Sequence, residues 1–194
     1  MALLRRAVFA CSLALLAAAG PGRPALAKVY LTQEEAIRQA FPPPQSVERR
    51  TLYLDDAQAR RASELSGAAV EARVIPYYVG VSAGGVTGYA YFDTHLVRTL
   101  PETVLVRLSP DGRVVAIDIV SFDEPEDYKV SPRWLDQFRD QAPEDPRRLP
   151  GTIRSLAGAT LSARAITDAA RRVLALHRLF VQPAPPAATA GARP

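Results

Sequence analysis

Thr103-Val104-Leu105-Val106-Arg107-Leu108-Ser109-Pro110-Asp111-Gly112, answered by the run from Val114 to Phe122, is the stretch whose reading decides the fold. Apolar and β-branched residues alternate on both sides of a Ser-Pro-Asp-Gly turn. Proline and glycine stand there where a type I or II turn favours each. The pattern predicts an antiparallel hairpin over Thr103–Phe122. Upstream the same period of two returns in Tyr77-Tyr78-Val79 and in Gly88-Tyr89-Ala90-Tyr91-Phe92, punctuated by Gly84-Gly85. These strands and the hairpin predict one antiparallel sheet.

Helical signals flank the strands. Thr32 followed by Glu35 is a capping box, with Ala36, Ile37, Ala40 and Phe41 as an apolar face, and Pro42-Pro43-Pro44 stops the helix. Val47–Leu54 predicts a strand. Residues 55–65 predict a second short helix ending near Gly67, with acids at its start and arginines further on. After the hairpin, Ser131-Pro132-Arg133-Trp134-Leu135 opens a short helix. A long one follows, with Leu161, Ala165, Ile166, Ala169, Val173, Leu176 and Phe180 at spacings of three to four. The expected class is α+β: a twisted antiparallel sheet with helices packed on one face. The expected divisions are 1–27, 28–79 (helix–strand–helix), 80–180 (main domain) and a Pro/Ala-rich tail at 181–194, disordered by composition.

Charge and cysteine usage narrow the function. Of 194 residues, 24 are basic and 20 acidic, a net charge of +4. Arg5, Arg6 and Arg23 lie in the first 27 residues, which hold no acid, leaving 21 basic and 20 acidic residues. The basic residues are interspersed with acids, so no nucleic-acid footprint remains. Residues 1–27 read as a cleaved export signal. Two arginines precede the apolar run Ala7–Ala19, Gly20-Pro21 breaks it, and Ala25-Leu26-Ala27 supplies the cleavage pattern. The run is shorter than the roughly 20 residues a membrane span needs. Cys11 is the single cysteine and leaves with the leader, so the expected exported or periplasmic chain has no cysteine-based site.

The start of the long helix carries the chemistry. In Ser155-Leu156-Ala157-Gly158-Ala159-Thr160-Leu161-Ser162, Gly158 and Ala159 let a ligand approach the backbone. Thr160 and Ser162 supply hydroxyls where helix N–H groups and the macrodipole favour an anion. Read locally, Ser155 or Thr160 is an ordinary cap. Gly158-Ala159-Thr160-Leu161-Ser162, followed by Ala165-Ile166-Thr167-Asp168-Ala169, resembles the flavinylation signature of FMN-binding domains. Such domains occur in subunits of the Rnf and sodium-pumping NADH:quinone oxidoreductase complexes and in many exported bacterial redox proteins. The resemblance covers roughly Gly80 to Phe180. It departs at Ala157, where the family has Ser or Thr, and at Arg154, where an acid is often seen.

The resemblance implies that Thr160 carries FMN through a phosphoester installed by a flavin transferase. Gly158, Ala159, Leu161 and Ser162 would then surround the attachment point. Glu124-Pro125 is similar in position to a Glu-Thr/Pro-Pro-type loop that follows such a hairpin in that family, where the next helix contributes a wall of the flavin site. The resemblance implies a cofactor-binding role for Glu124. Trp134 reads as core packing, with flavin stacking as the rarer role. His95 stands among Thr94 and Arg98 after a strand, where it is a loop residue or a donor to a reduced flavin. His177 reads as structural, a charge complementing the helix dipole. The acids of Asp123-Glu124-Pro125-Glu126-Asp127 read as a solvated loop. No nucleophile–base pairing or dinucleotide motif stands out. The chain therefore reads as an exported flavoprotein relaying electrons to a redox partner protein or membrane complex, a carrier more than a turnover enzyme. The alternative is a cofactor-free secreted binding domain; a hydrolase ranks last.

Overall fold

The computed structural model describes residues 28–142, 144–154 and 156–182. The leader expected over 1–27, Ser155 and all of the tail after Gln182 lie outside the described residues. The elements run β1 (Lys28–Val29), α1 (Gln33–Ala40), β2 (Ser46–Tyr53), α2 (Asp56–Ser66), β3 (Val74–Ser82), β4 (Gly85–Leu96), β5 (Pro101–Leu108), β6 (Val114–Phe122), α3 (Pro132–Leu135) and α4 (Thr160–Phe180). Three 3₁₀ turns, at Glu126–Tyr128, Asp136–Phe138 and Pro146–Gly151, fill the path from β6 to α4.

The six strands form one sheet in the order β1-β6-β5-β4-β3-β2, every neighbour antiparallel. The α+β class is as expected, and the hairpin forms as β5 and β6. Local signals set the helix ends. Thr32 and Glu35 make a reciprocal capping box on α1, and Asp55 and Gln58 do the same for α2. Gly67 closes α2 in the left-handed conformation at φ 64°. Residues 28–79 are not a separate layer. β2 pairs with β3 along its whole length, and β1 pairs with β6.

The sheet is covered on both faces, unequally. One face, with Tyr91, Val104, Val106 and Ile117, packs against α4, Trp134 and Phe138 in the main core. α4 presents Ala163, Ala169 and Ala170 there beside Ile166 and Val173, and small side chains let a helix backbone sit close to its neighbour. Ile166 is fully buried, so truncation to alanine would cost about 2–5 kcal/mol. α2 packs beside α4 over Leu54 and Ile75. The short α1 lies on the opposite face, where Ala36 and Phe41 meet Ala90, Leu105 and Val120. One-face packing thus holds for α2, α3 and α4. The period-two pattern of β4 and β5 buries Ala90 and Leu105 on the second side, which α1 covers.

Candidate functional site

Among the described residues the first turn of α4 has no side-chain cap: Ala159 occupies the N-cap position, and none of their side chains accepts a hydrogen bond from the opening amides. Thr160 is therefore the first helical residue and not a cap. Its exposed hydroxyl donates to the Leu156 carbonyl at 3.0 Å. Gly158 precedes it at φ 85°, a backbone state that favours glycine, and no heavy atom lies within 4 Å of where a Cβ would stand. Ala159 is buried in the main core, whereas Leu161 is half exposed. Ser162 points inward: it is 1% exposed and its hydroxyl donates to the Tyr128 carbonyl. The contact expected between that hydroxyl and a phosphate is thus replaced by one inside the protein.

Three hollows adjoin α4. Thr160 lines a cavity of about 330 Å³ together with Trp134, Arg154, Arg164, Asp168 and Arg171. Thr160, Arg164, Thr167 and Arg171 follow the helical spacings of four, three and four, so they form one stripe of α4. Arg171 donates to Asp168 at 2.7 Å, and its Nε is buried with no partner among the described residues. Trp134 packs in the core, as its first reading expects. It is buried edge-on against Phe138, its Nε1 donates to the Arg154 carbonyl at 2.7 Å, and its flank borders the cavity.

On the other flank, Leu161, Arg164 and Asp168 share a groove of about 290 Å³ with His95, Leu96 and Val97. His95 and Arg172 also border the third and largest hollow, about 570 Å³, whose apolar wall includes Val70, Ile75 and Leu176. The structure so brings Thr160 beside Trp134, and Leu161 beside His95, on two sides of one helix turn.

His95 is not a loop residue. It sits on β4, one strand period from Asp93, and both ring nitrogens face carboxylates: Nδ1 lies 2.9 Å from Asp93 and Nε2 3.1 Å from Glu102. Burial opposes a charge on the ring, but the hydrogen bonds to Asp93 and Glu102 outweigh it and raise its pKa. Arg172 closes the far side of Asp93 with two bonds, 2.9 and 2.6 Å. Burial alone would raise the Asp93 carboxyl, but the bonds from His95 and Arg172 hold it at about 2. Both ring nitrogens being engaged, the donation to a flavin expected of His95 has no spare N–H in this arrangement.

Glu124 is buried and also looks inward. Its Oε1 accepts from the backbone amides of Arg98, Thr99 and Leu100 at 3.2, 2.7 and 3.0 Å. Those amides, Thr99's first, hold its pKa below the usual carboxylate value. The neighbouring acid Glu126 pairs with Lys28 and Lys129 and accepts from the Tyr30 hydroxyl. His177 differs from its expected role. It is 1% exposed, and burial pushes its pKa down to about 4, so it carries no charge toward the helix dipole at neutral pH.

Sequence reasoning did not single out Asp93, Glu102, Arg164, Arg171 or Arg172. Two signals were present. Asp93 and His95 at a spacing of two must share a strand face, and Arg164 and Arg171 fall on the stripe of Thr160. The partnership of Asp93 with Arg172 spans 79 residues and has no local signature.

Residues 100–175 match the family model of the FMN-binding domain. This segment is similar to an FMN-binding domain. It begins just before β5, ends inside α4 and includes Thr160, Glu124 and Trp134, while His95 falls five residues before it. The match indicates FMN as the cofactor. Comparison with curated proteins gives no match, and neither does comparison with solved structures.

The residues present fit that group. FMN ends in a phosphate, and the cavity beside Thr160 offers three guanidinium groups, one with an unpartnered buried Nε, together with a helix start that no side chain caps. Its volume lies at the lower end of the roughly 300–1,000 Å³ usual for small-molecule sites. Arg154 therefore adds a cation to the cavity where the resemblance has an acid.

Proposed function

We propose that this chain is an exported electron-carrying flavoprotein whose FMN is joined to Thr160 by a phosphoester. The observation that carries the reading is the exposed Thr160 hydroxyl, at an uncapped helix start, on the rim of an arginine-lined cavity. That oxygen accepts a hydrogen bond from none of the described residues, which leaves its lone pairs available to a phosphorus atom. A flavin transferase would form the Oγ–P bond while the anhydride bond of a flavin dinucleotide donor breaks. The hydroxyl proton passes to a base and a nucleoside monophosphate leaves.

The amides at the start of α4 then face the remaining negative charge. Arg154, Arg164 and Arg171 line the cavity in which the cofactor's body lies. When bound, the flavin supplies the redox chemistry, and the chain attaches, shelters and tunes it. Covalent attachment keeps the cofactor with the protein outside the cytoplasm. The leader-like residues 1–27 support that location, and N-terminal sequencing of the abundant form should find Lys28 first.

The test is mass spectrometry of the tryptic peptide 155–164 after co-expression with a flavin transferase. Wild type is expected to carry FMN on Thr160, Thr160→Ser a reduced amount and Thr160→Ala none. Because Thr160 caps nothing, its replacement by alanine should change stability by no more than about 0.5 kcal/mol. An unmodified wild-type peptide, or flavin on another residue, overturns the assignment. Holoprotein that oxidises NADH rapidly without a partner overturns the carrier role.

A further inference from the structure

The turn between β4 and β5 reaches the first turn of α4 by two routes, and both depend on one carboxylate. Arg98, Thr99 and Leu100 point three consecutive amides at Glu124 Oε1, and the Thr99 hydroxyl adds a fourth bond at 3.3 Å. Within the turn, the Val97 amide donates to the Leu100 carbonyl at 3.1 Å. Along the first route, the Arg98 guanidinium lies 4.8 Å from the centre of the Tyr128 ring, and the Tyr128 carbonyl accepts the buried Ser162 hydroxyl. Along the second, Leu96 and Val97 form a wall of the groove whose other wall holds Leu161 and Arg164.

We propose that Glu124 is a positioning residue for Thr160, acting through the 98–100 turn, Arg98, Tyr128 and Ser162. It touches no atom of Thr160 and is not a cofactor ligand. A charged oxygen that collects three amides fixes a turn more firmly than a neutral one does. Deleting it leaves those N–H groups without their acceptor and the turn free to shift. Arg98 then leaves the Tyr128 ring and the groove loses a wall. Ser162 keeps a partner that is itself no longer held. Among the described residues α4 has no side-chain cap, so beside the Thr160 hydroxyl on the Leu156 carbonyl and the burial of Ala159, this chain of contacts holds the first turn. The effect on attachment rests on the flavin reading above; the effect on the order of α4 does not.

Hydrogen exchange on the apoprotein and the time course of flavin attachment test this together, with Glu124→Ala, Glu124→Gln and Ser162→Ala. In Glu124→Ala, exchange should rise at least tenfold at amides 98–100 and also at 163–166, the first bonded amides of α4, while 170–176 stay as in wild type. The initial rate of attachment at Thr160 should fall at least fivefold. Glu124→Gln, which keeps the shape and a neutral acceptor, should recover part of both. Ser162→Ala should slow attachment similarly, and the double variant should be no slower than either single one, as steps in one chain of contacts require.

Faster exchange at 98–100 with wild-type exchange at 163–166 and a wild-type attachment rate overturns the proposal. A uniform rise along all of α4 also overturns it, since that is general destabilisation. If Glu124→Ala does not fold, Glu124→Gln must show the same local pattern at smaller amplitude, and wild-type behaviour there overturns the proposal. Wild type that accepts no flavin overturns the flavin reading instead, and the exchange pattern still decides the positioning role.

Discussion

The chain has two histidines, and the two ends of the α4–sheet contact treat them in opposite ways. At the Thr160 end, His95 lies between Asp93 and Glu102 and is held toward its charged form. At the far end, His177 shares a hydrogen bond of 2.8 Å through Nδ1 with the Tyr91 hydroxyl. It packs against the Tyr89 ring and leaves Nε2 buried without a partner among the described residues. Burial there pushes its pKa down to about 4. Both rings are almost fully enclosed, so enclosure alone does not decide the charge. Two carboxylates outweigh desolvation at one end, and one hydroxyl does not at the other. The buried ion pairs of this contact thus lie at the end of α4 that carries Thr160. The opposite end is ordinary core.

The most severe way to break this comparison is to remove the carboxylate that Arg172 and His95 share. Asp93→Ala leaves Arg172 and His95 without their shared partner in a buried setting, and breaking such a pair typically costs 3–5 kcal/mol. A loss of about 3 kcal/mol or more is expected from urea unfolding at pH 7. A loss under about 1 kcal/mol would mean that water reaches the Asp93 network as easily as it reaches the surface.

The next removes the buried cation. His95→Gln keeps one donor but leaves Glu102, fully buried and with Oε1 already unpartnered, facing no charge. The expected cost is about 2 kcal/mol at pH 6, within the range for uncompensated buried groups. The sign with pH follows from the raised pKa of His95. Its contribution is complete below about 6.5, the value of an unfolded histidine, and is lost as pH rises through the folded value. The gap between wild type and variant should therefore narrow toward alkaline pH. A gap that widens there would refute the charged assignment.

What the sequence made legible was local. The capping boxes at Thr32 and Asp55, the left-handed Gly67, the Ser109–Gly112 turn and the apolar stripe of α4 each depend on residues within a few positions of one another. The motif that contains Thr160 belongs to the same class, because it is contiguous. What was not legible depends on the docking of distant elements. Arg172 meets Asp93 only once α4 lies across β4, and Glu102 meets His95 only through the β4–β5 register. Ser162 turns inward because Tyr128, 34 residues earlier, ends a 3₁₀ turn beneath it. α1 crosses to the second face because Phe41 completes a cluster built by Ala90, Leu105 and Val120. Motif reading therefore reached the contiguous run around Thr160 and missed the contacts that distant elements bring to it.

The gentlest change sharpens the comparison from the other end. His177→Leu removes a ring whose Nε2 has no partner among the described residues and replaces it with apolar volume in an apolar place, but it strips the Tyr91 hydroxyl of its hydrogen-bond partner. These effects oppose each other, and the net change at pH 7 should lie within about 1 kcal/mol. Acid separates the variant from wild type. With a folded pKa of about 4 against an unfolded value near 6.5, the unfolded chain binds the proton first. Wild type should lose stability as pH falls through that window, reaching about 3 kcal/mol below pH 4 from this group alone. The variant has no such group, so its stability should fall less between pH 6.5 and 4. Asp93, held at about 2, adds its own loss only below about pH 4 and in both proteins. Urea midpoints at pH 7, 5.5 and 4.5 decide the matter. If His177→Leu and wild type lose stability in parallel, His177 takes up its proton in the folded state as readily as in the unfolded chain, and the contrast between the two histidines fails.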